Sequence, residues 1–141
     1  MGLHSVILGY SHPEVTKRVK EAVEKGINLT LMHPLEEEVA AILIDRIPCA
    51  EMVRFTKTGS EATSAAVRIA RAITGKDHVA TCGYHGWSDW FLGVTERSAG
   101  IPQVIQEMVH KFSYNDIESL ELLFNENRDK IGAVIMEPCG V

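Results

Sequence analysis

The chain is short of the features that would send it to a membrane, a nucleic acid or an oxidising compartment. No apolar run approaches the roughly 18–20 residues that cross a bilayer. Basic residues are outnumbered, 14 Lys and Arg against 19 Asp and Glu, for a net charge of −5. Nucleic acid is therefore not an expected partner. Three cysteines, Cys49, Cys82 and Cys139, lie far apart without paired spacing. That fits reduced cytoplasmic thiols better than a disulfide framework or a zinc site. Met1 to His4 lacks the charged-then-apolar start of a signal peptide. Neither nucleotide-loop pattern, Gly-x-x-x-x-Gly-Lys-Ser/Thr or Gly-x-Gly-x-x-Gly, occurs, and there are no repeats or low-complexity tracts.

What remains is ordinary globular material. Apolar residues make up 45% of 141, enough for a core, and the length suits one domain or a piece of a larger one. Ile131 to Met136 reads as a buried strand with five residues after it, and the start is equally abrupt. The expectation is an internal segment of a longer enzyme.

Helices and strands alternate. Pro13 suits a first helical turn, with Ser11 or His12 as cap; Val15, Val19, Ala22 and Val23 follow at helical spacing, and Gly26 is a stop. Pro34 opens a second helix whose acidic first turn, Glu36 to Glu38, complements the dipole. Its stripe is Leu35, Val39, Ile42 and Leu43, and Pro48 ends it. Met52 to Phe55 reads as a strand, then a helix runs from Ser60 to Thr74 with Ala62, Ala65, Ala66, Ile69, Ala70 and Ile73 as its apolar positions and Gly75 as C-terminal cap. Strands are expected at 78–82, 108–112 and 131–136. A loop-rich stretch covers 83–103, and a helix over 116–127 is capped by Asn115, with Ile117, Leu120 and Phe124 inward. This pattern predicts an α/β fold with a mostly parallel sheet flanked by helices.

Three polar clusters fall at predicted strand ends, where such sheets bind ligands. The first is Thr58-Gly59-Ser60. Helix N-termini present unpaired N–H groups and a positive dipole end, so this turn can seat a phosphate. It reads equally as a capping box, with Glu61 reaching back to Thr58. The second is Tyr84-His85-Gly86-Trp87, either a packed aromatic turn or a flat ring for a planar cofactor with His85 beside it. A zinc reading through Cys82 and His85 lacks a second ligand pair. The third is Glu137-Pro138, a solvated strand end or an active-site acid. Lys57 reads as an exposed loop lysine.

Taken in order, several stretches resemble the class III (subgroup II) pyridoxal-phosphate aminotransferases, and within them the glutamate-1-semialdehyde aminomutase branch. They are residues 8–15, 52–63, 65–75, Gly83-Tyr84-His85-Gly86 and 134–138. The resemblance implies a fold-type I transferase and pyridoxal 5'-phosphate as cofactor. It gives Thr58, Gly59 and Ser60 the cofactor phosphate, Tyr84 the stacking position on the pyridine ring, and His85 the place beside it. Glu137 becomes the acid near the cofactor's reactive face. It further implies residues 1–33 as the end of an N-terminal segment and 34–141 as the first half of the large domain. A homodimer acting on a small-molecule amino donor and a carbonyl acceptor follows from the same likeness. In the family the Schiff-base lysine and the aspartate that pairs with the pyridinium nitrogen lie downstream of Glu-Pro. None of the seven lysines matches, so the chain alone is expected to be inactive.

The turn Gly86-Trp87-Ser88-Asp89-Trp90 is bulkier than the small, polar turn of the aminomutase branch. That favours an aminotransferase on another substrate, such as a sugar or small keto compound. An intramolecular amino shift, a non-catalytic remnant, and racemisation or decarboxylation on the same scaffold are the alternatives.

Overall fold

The computed structural model describes residues 5–139. Met1 to His4, and the last two residues of the expected 34–141 segment, lie outside them. The chain divides into two compact units, residues 1–54 and 55–141.

In the first unit, α1 (Pro13–Val23) carries Pro at its first turn after His12, whose side chain makes no cap bond. Gly26, at φ +107°, turns the chain after it. Helix α2 (Pro34–Arg46) is capped by His33. The Leu35 N–H donates to His33 Nδ1 at 3.0 Å and the His33 N–H to Glu36 Oε1 at 3.2 Å. A histidine cap was not legible in the sequence because the residue is not among the usual capping types. The expected stripes are present but uncovered: Val15, Val19, Leu35, Val39 and Ile42 are all exposed.

The second unit holds α3 (Gly59–Thr74), β1 (His78–Cys82), α4 (Asp89–Leu92), α5 (Gln103–Glu107), β2 (Val109–Lys111), α6 (Ile117–Glu126) and β3 (Ile131–Met136). The strands form a parallel sheet of order β2-β1-β3. Val79 pairs with Val109 on one side and Ala133 on the other. These residues share a core with Val67 of α3 and Trp90 and Phe91 of α4, with Ile135 packed against it.

Four expectations are corrected. Met52 to Phe55 is not a strand; a strand needs a neighbour to pair with its backbone groups, and among the described residues the sheet pairs only β1, β2 and β3. The buried residue of α3 is Val67, whereas Ile69 and Ile73 are exposed. The inward face of α3 is partly polar, through Thr63 and Ser64, so a count of apolar positions picks the wrong side. In α6, Asp116 rather than Asn115 is the cap, its carboxylate accepting from the Ser119 N–H at 3.0 Å. Ile117 and Phe124 are exposed there.

Candidate active site

The helix α3 begins with both halves of a capping box. The Glu61 N–H donates to Thr58 Oγ1 at 3.2 Å, and Glu61 Oε2 accepts from the N–H groups of Thr58 at 3.0 Å and Lys57 at 2.7 Å. The Ala62 N–H reaches the Thr58 carbonyl at 3.1 Å. Capping therefore occupies four amides but not those of Gly59 and Ser60, which have no partner among the described residues. A Cβ built on Gly59 would meet nothing within 4 Å, so the backbone at Gly59 is uncrowded on its Cβ side.

The Tyr84 loop is fastened to that turn. The Trp87 N–H donates to Ser60 Oγ at 3.1 Å, which leaves the Ser60 hydroxyl proton for another acceptor. The Thr63 hydroxyl donates to the His85 carbonyl at 2.8 Å. Behind it, the Trp90 indole N–H donates to Ser64 Oγ at 3.1 Å, and that hydroxyl donates to Ser88 Oγ at 2.9 Å. Gly86 lies so close that a Cβ on it would stand 2.9 Å from Ser60 Cα, and its φ is +104°.

On the other side, Glu137 follows β3 and accepts the Tyr84 N–H on Oε2 at 3.0 Å, while its own N–H reaches the Cys82 carbonyl at 3.2 Å. Gly83, at φ +90°, leaves the room this carboxylate occupies; a Cβ there would meet Glu137 Cγ at 2.9 Å. The structure thus brings the three sequence clusters together around one loop.

Within the loop the two rings behave differently. Tyr84 is 65% exposed, its ring edge-on to Phe91 with centroids 5.7 Å apart. His85 is only 6% exposed. It donates through Nε2 to the Cys82 carbonyl at 2.8 Å and stacks on Trp90, centroids 6.1 Å apart. Trp90 is core, whereas Trp87 is exposed beside Ser60. Lys57 is exposed, as expected.

Thr63, Ser64 and Phe91 escaped the sequence reading as parts of this assembly. Thr63 and Ser64 follow a recognised turn at helical spacing, which was the one signal available. Phe91's place depends on tertiary contact.

The arrangement pairs two amides without a partner among the described residues with a large exposed aromatic ring, and sequence comparison decides its family. The sequence matches the class-III aminotransferase family over residues 1–140. The chain belongs to the class-III aminotransferases. It is 38% identical over 136 residues to the 3-aminobutyryl-CoA aminotransferase of Cloacimonas acidaminovorans (strain Evry), covering 96% of this chain and 32% of that protein. A transaminase solved with PLP bound superposes with a TM-score of 0.89 at 28% identity, over 97% of this chain and 35% of that one. An omega-transaminase from Sphaerobacter thermophilus gives 0.83 at 29% identity, over 94% and 34%. This class-III aminotransferase chain shares their fold, a parallel sheet flanked by helices, as part of a larger domain. It spans about a third of the length of these relatives.

Proposed function

We propose that this chain supplies the cofactor-seating part of a pyridoxal-phosphate-dependent aminotransferase that moves an amino group from an amine or amino-acid donor to a carbonyl acceptor. The observation that carries this reading is a pair of amides, Gly59 and Ser60, without a partner among the described residues, at the start of a 16-residue helix, fastened to the loop that presents Tyr84. A dianionic phosphate on a flat ring needs an anion cradle and a stacking surface, and both are available on one connected scaffold.

In this reading the amides of Gly59 and Ser60 and the hydroxyl protons of Thr58 and Ser60 hold the phosphate. Tyr84 presents its ring to the cofactor's flat face. His85, buried against Trp90, fixes the turn that aims Tyr84 and acts from beside the cofactor rather than on it. Glu137 holds the Tyr84 backbone and places a carboxylate at the same edge. When bound, pyridoxal phosphate supplies the electron sink for amino-group exchange. The Schiff-base lysine is assigned outside this chain, so the 141 residues alone form no stoichiometric single-site adduct on borohydride reduction. We retain residues 1–33 as the end of an N-terminal segment and 34–141 as the first half of the large domain.

Trp87 favours intermolecular exchange over the aminomutase shift: it sets an exposed indole where that branch carries small polar residues. The reading includes a homodimer, supported by the uncovered apolar faces of α1 and α2, and a cytoplasmic location, supported by three free cysteines. Among the described residues no helix is long and apolar enough to cross a membrane, and no cluster of three metal-ligating side chains occurs.

Equilibrium titration with pyridoxal phosphate tests the seat. Ser60→Ala and Tyr84→Ala are each expected to weaken binding about tenfold, the loss of one charge-assisted hydrogen bond or of one stacked ring. Unchanged affinity in both variants would contradict the proposal.

A further inference from the structure

Three loops leave the carboxyl edge of the sheet, and hydrogen bonds tie them together past the strand ends. The Phe112 N–H donates to the Thr81 carbonyl at 3.1 Å, and the Glu137 N–H to the Cys82 carbonyl at 3.2 Å. In the order β2-β1-β3, the loops after β2 and β3 flank the end of β1, from which Tyr84 departs. One side chain joins the two flanking loops directly: the Tyr114 hydroxyl donates to the Pro138 carbonyl at 2.9 Å. Proline has no N–H, so this carbonyl is the one backbone hydrogen-bonding group that Pro138 owns. Among the described residues, 138 and 139 make no other hydrogen bond. The turn that carries Tyr114 is itself braced. The Ser113 N–H donates to Ser119 Oγ at 3.0 Å, and that hydroxyl donates to the Asp116 carbonyl at 2.8 Å. Between them Asn115 turns the chain in the left-handed region, φ +56°, which asparagine tolerates better than most side chains. The Tyr114 hydroxyl is therefore aimed from a fixed base.

We propose that Tyr114 is a positioning residue for the cofactor seat: through the Pro138 carbonyl its hydroxyl holds Glu137, and through Glu137 it holds the backbone of Tyr84. The backbone of Glu137 is secured on both sides, its own N–H by β1 and the next residue's carbonyl by Tyr114. Its carboxylate then accepts the Tyr84 N–H at 3.0 Å. Without the Tyr114 hydroxyl the Glu137 backbone is secured on one side alone, and the carboxylate that fixes Tyr84 moves with the freed chain. Tyr114 acts through Glu137 and is assigned no contact with the cofactor. The proposal rests on the reading of the Tyr84 loop as the cofactor seat.

The test is Tyr114→Phe in the 141-residue chain, which removes one hydroxyl from an exposed side chain, so the fold should persist, as circular dichroism checks. In the free chain the variant is expected to move the Tyr84 amide signal in a proton–nitrogen spectrum, as Glu137→Ala does. It should weaken pyridoxal phosphate binding about threefold, a part of one hydrogen bond's worth. In a Glu137→Ala background it should cost nothing further, because the two changes break one connection; a Tyr84→Ala background repeats this arm if Glu137→Ala loses its fold. A tie that merely stabilises the fold would leave the Tyr84 amide in place, or weaken binding by the same factor in both backgrounds, and either result would overturn the proposal. Loss of the fold in Tyr114→Phe would overturn it as well. Affinity unchanged in Tyr114→Phe, where Tyr84→Ala does weaken binding, would overturn it and leave the cofactor reading intact. Affinity indifferent to both Tyr84→Ala and Ser60→Ala would instead remove the cofactor reading, and the proposal with it.

Discussion

His78 and His110 meet across β1 and β2, sharing a hydrogen bond of 2.8 Å between Nδ1 and Nε2, with stacked rings 5.1 Å apart. Burial holds His110 below its ordinary pKa of 6.5; His78 and Lys130 push the same way, and Glu126 opposes them. Between the folded and unfolded pKa the unfolded chain binds more protons, so stability rises with pH there. The contribution is complete above about pH 6.5 and is lost as pH falls toward the depressed folded value. The urea midpoint should therefore drop between about pH 7.5 and 5.5, and less so in His110→Asn. Equal slopes in the two proteins would contradict this account. The same scale explains the site: Ser60 accepts from Trp87 while retaining a proton to donate, so one hydroxyl can both fasten the loop and face a ligand.

Helix α3 and the loop after β1 form one working element. Their contact depends on Gly86, where an added methyl would strike the backbone of Ser60 and the left-handed φ would be strained. Gly86→Ala should destabilise the chain by about 1–3 kcal/mol and reduce pyridoxal phosphate affinity. Gly100→Ala is the control: its φ is +85° but nothing lies within 4 Å of the added Cβ, so it carries backbone strain without displacing the loop. Denaturation and ligand titration of both separate strain from displacement; equal binding by the two variants would refute the loop's role. Much of this element was legible in advance. Thr58 and Glu61 at capping-box spacing, Gly75 as a left-handed cap and the continuous apolar run of β3 are local signals, and local geometry obeyed them. The face of α3 was not legible, because Thr63 and Ser64 turn inward to satisfy partners more than twenty residues away. Nor was the absence of a strand at Met52 to Phe55, since strand formation depends on a neighbour rather than on the segment's own composition.

At the scale of the whole molecule, burial is uneven. The second unit owns the core around Val79, whereas no described residue of the first unit is buried. Helix α1 exposes Val15, Val19 and Val23, and α2 exposes Leu35, Val39 and Ile42. Stripes at helical spacing signify faces that bury against something. The isolated chain should therefore bind an apolar dye such as ANS strongly and show concentration-dependent association in sedimentation. A monodisperse monomer that leaves ANS dark at all concentrations would contradict this picture.

The account's central claim is that the start of α3 receives the cofactor's phosphate. The most direct measurement is a proton–nitrogen correlation spectrum of the chain titrated with pyridoxal phosphate and, separately, with pyridoxal. The account predicts that the Gly59 and Ser60 amide signals move saturably with the phosphorylated compound and hardly at all with the other. Signals at these two amides that stay still while pyridoxal phosphate binds elsewhere would contradict it.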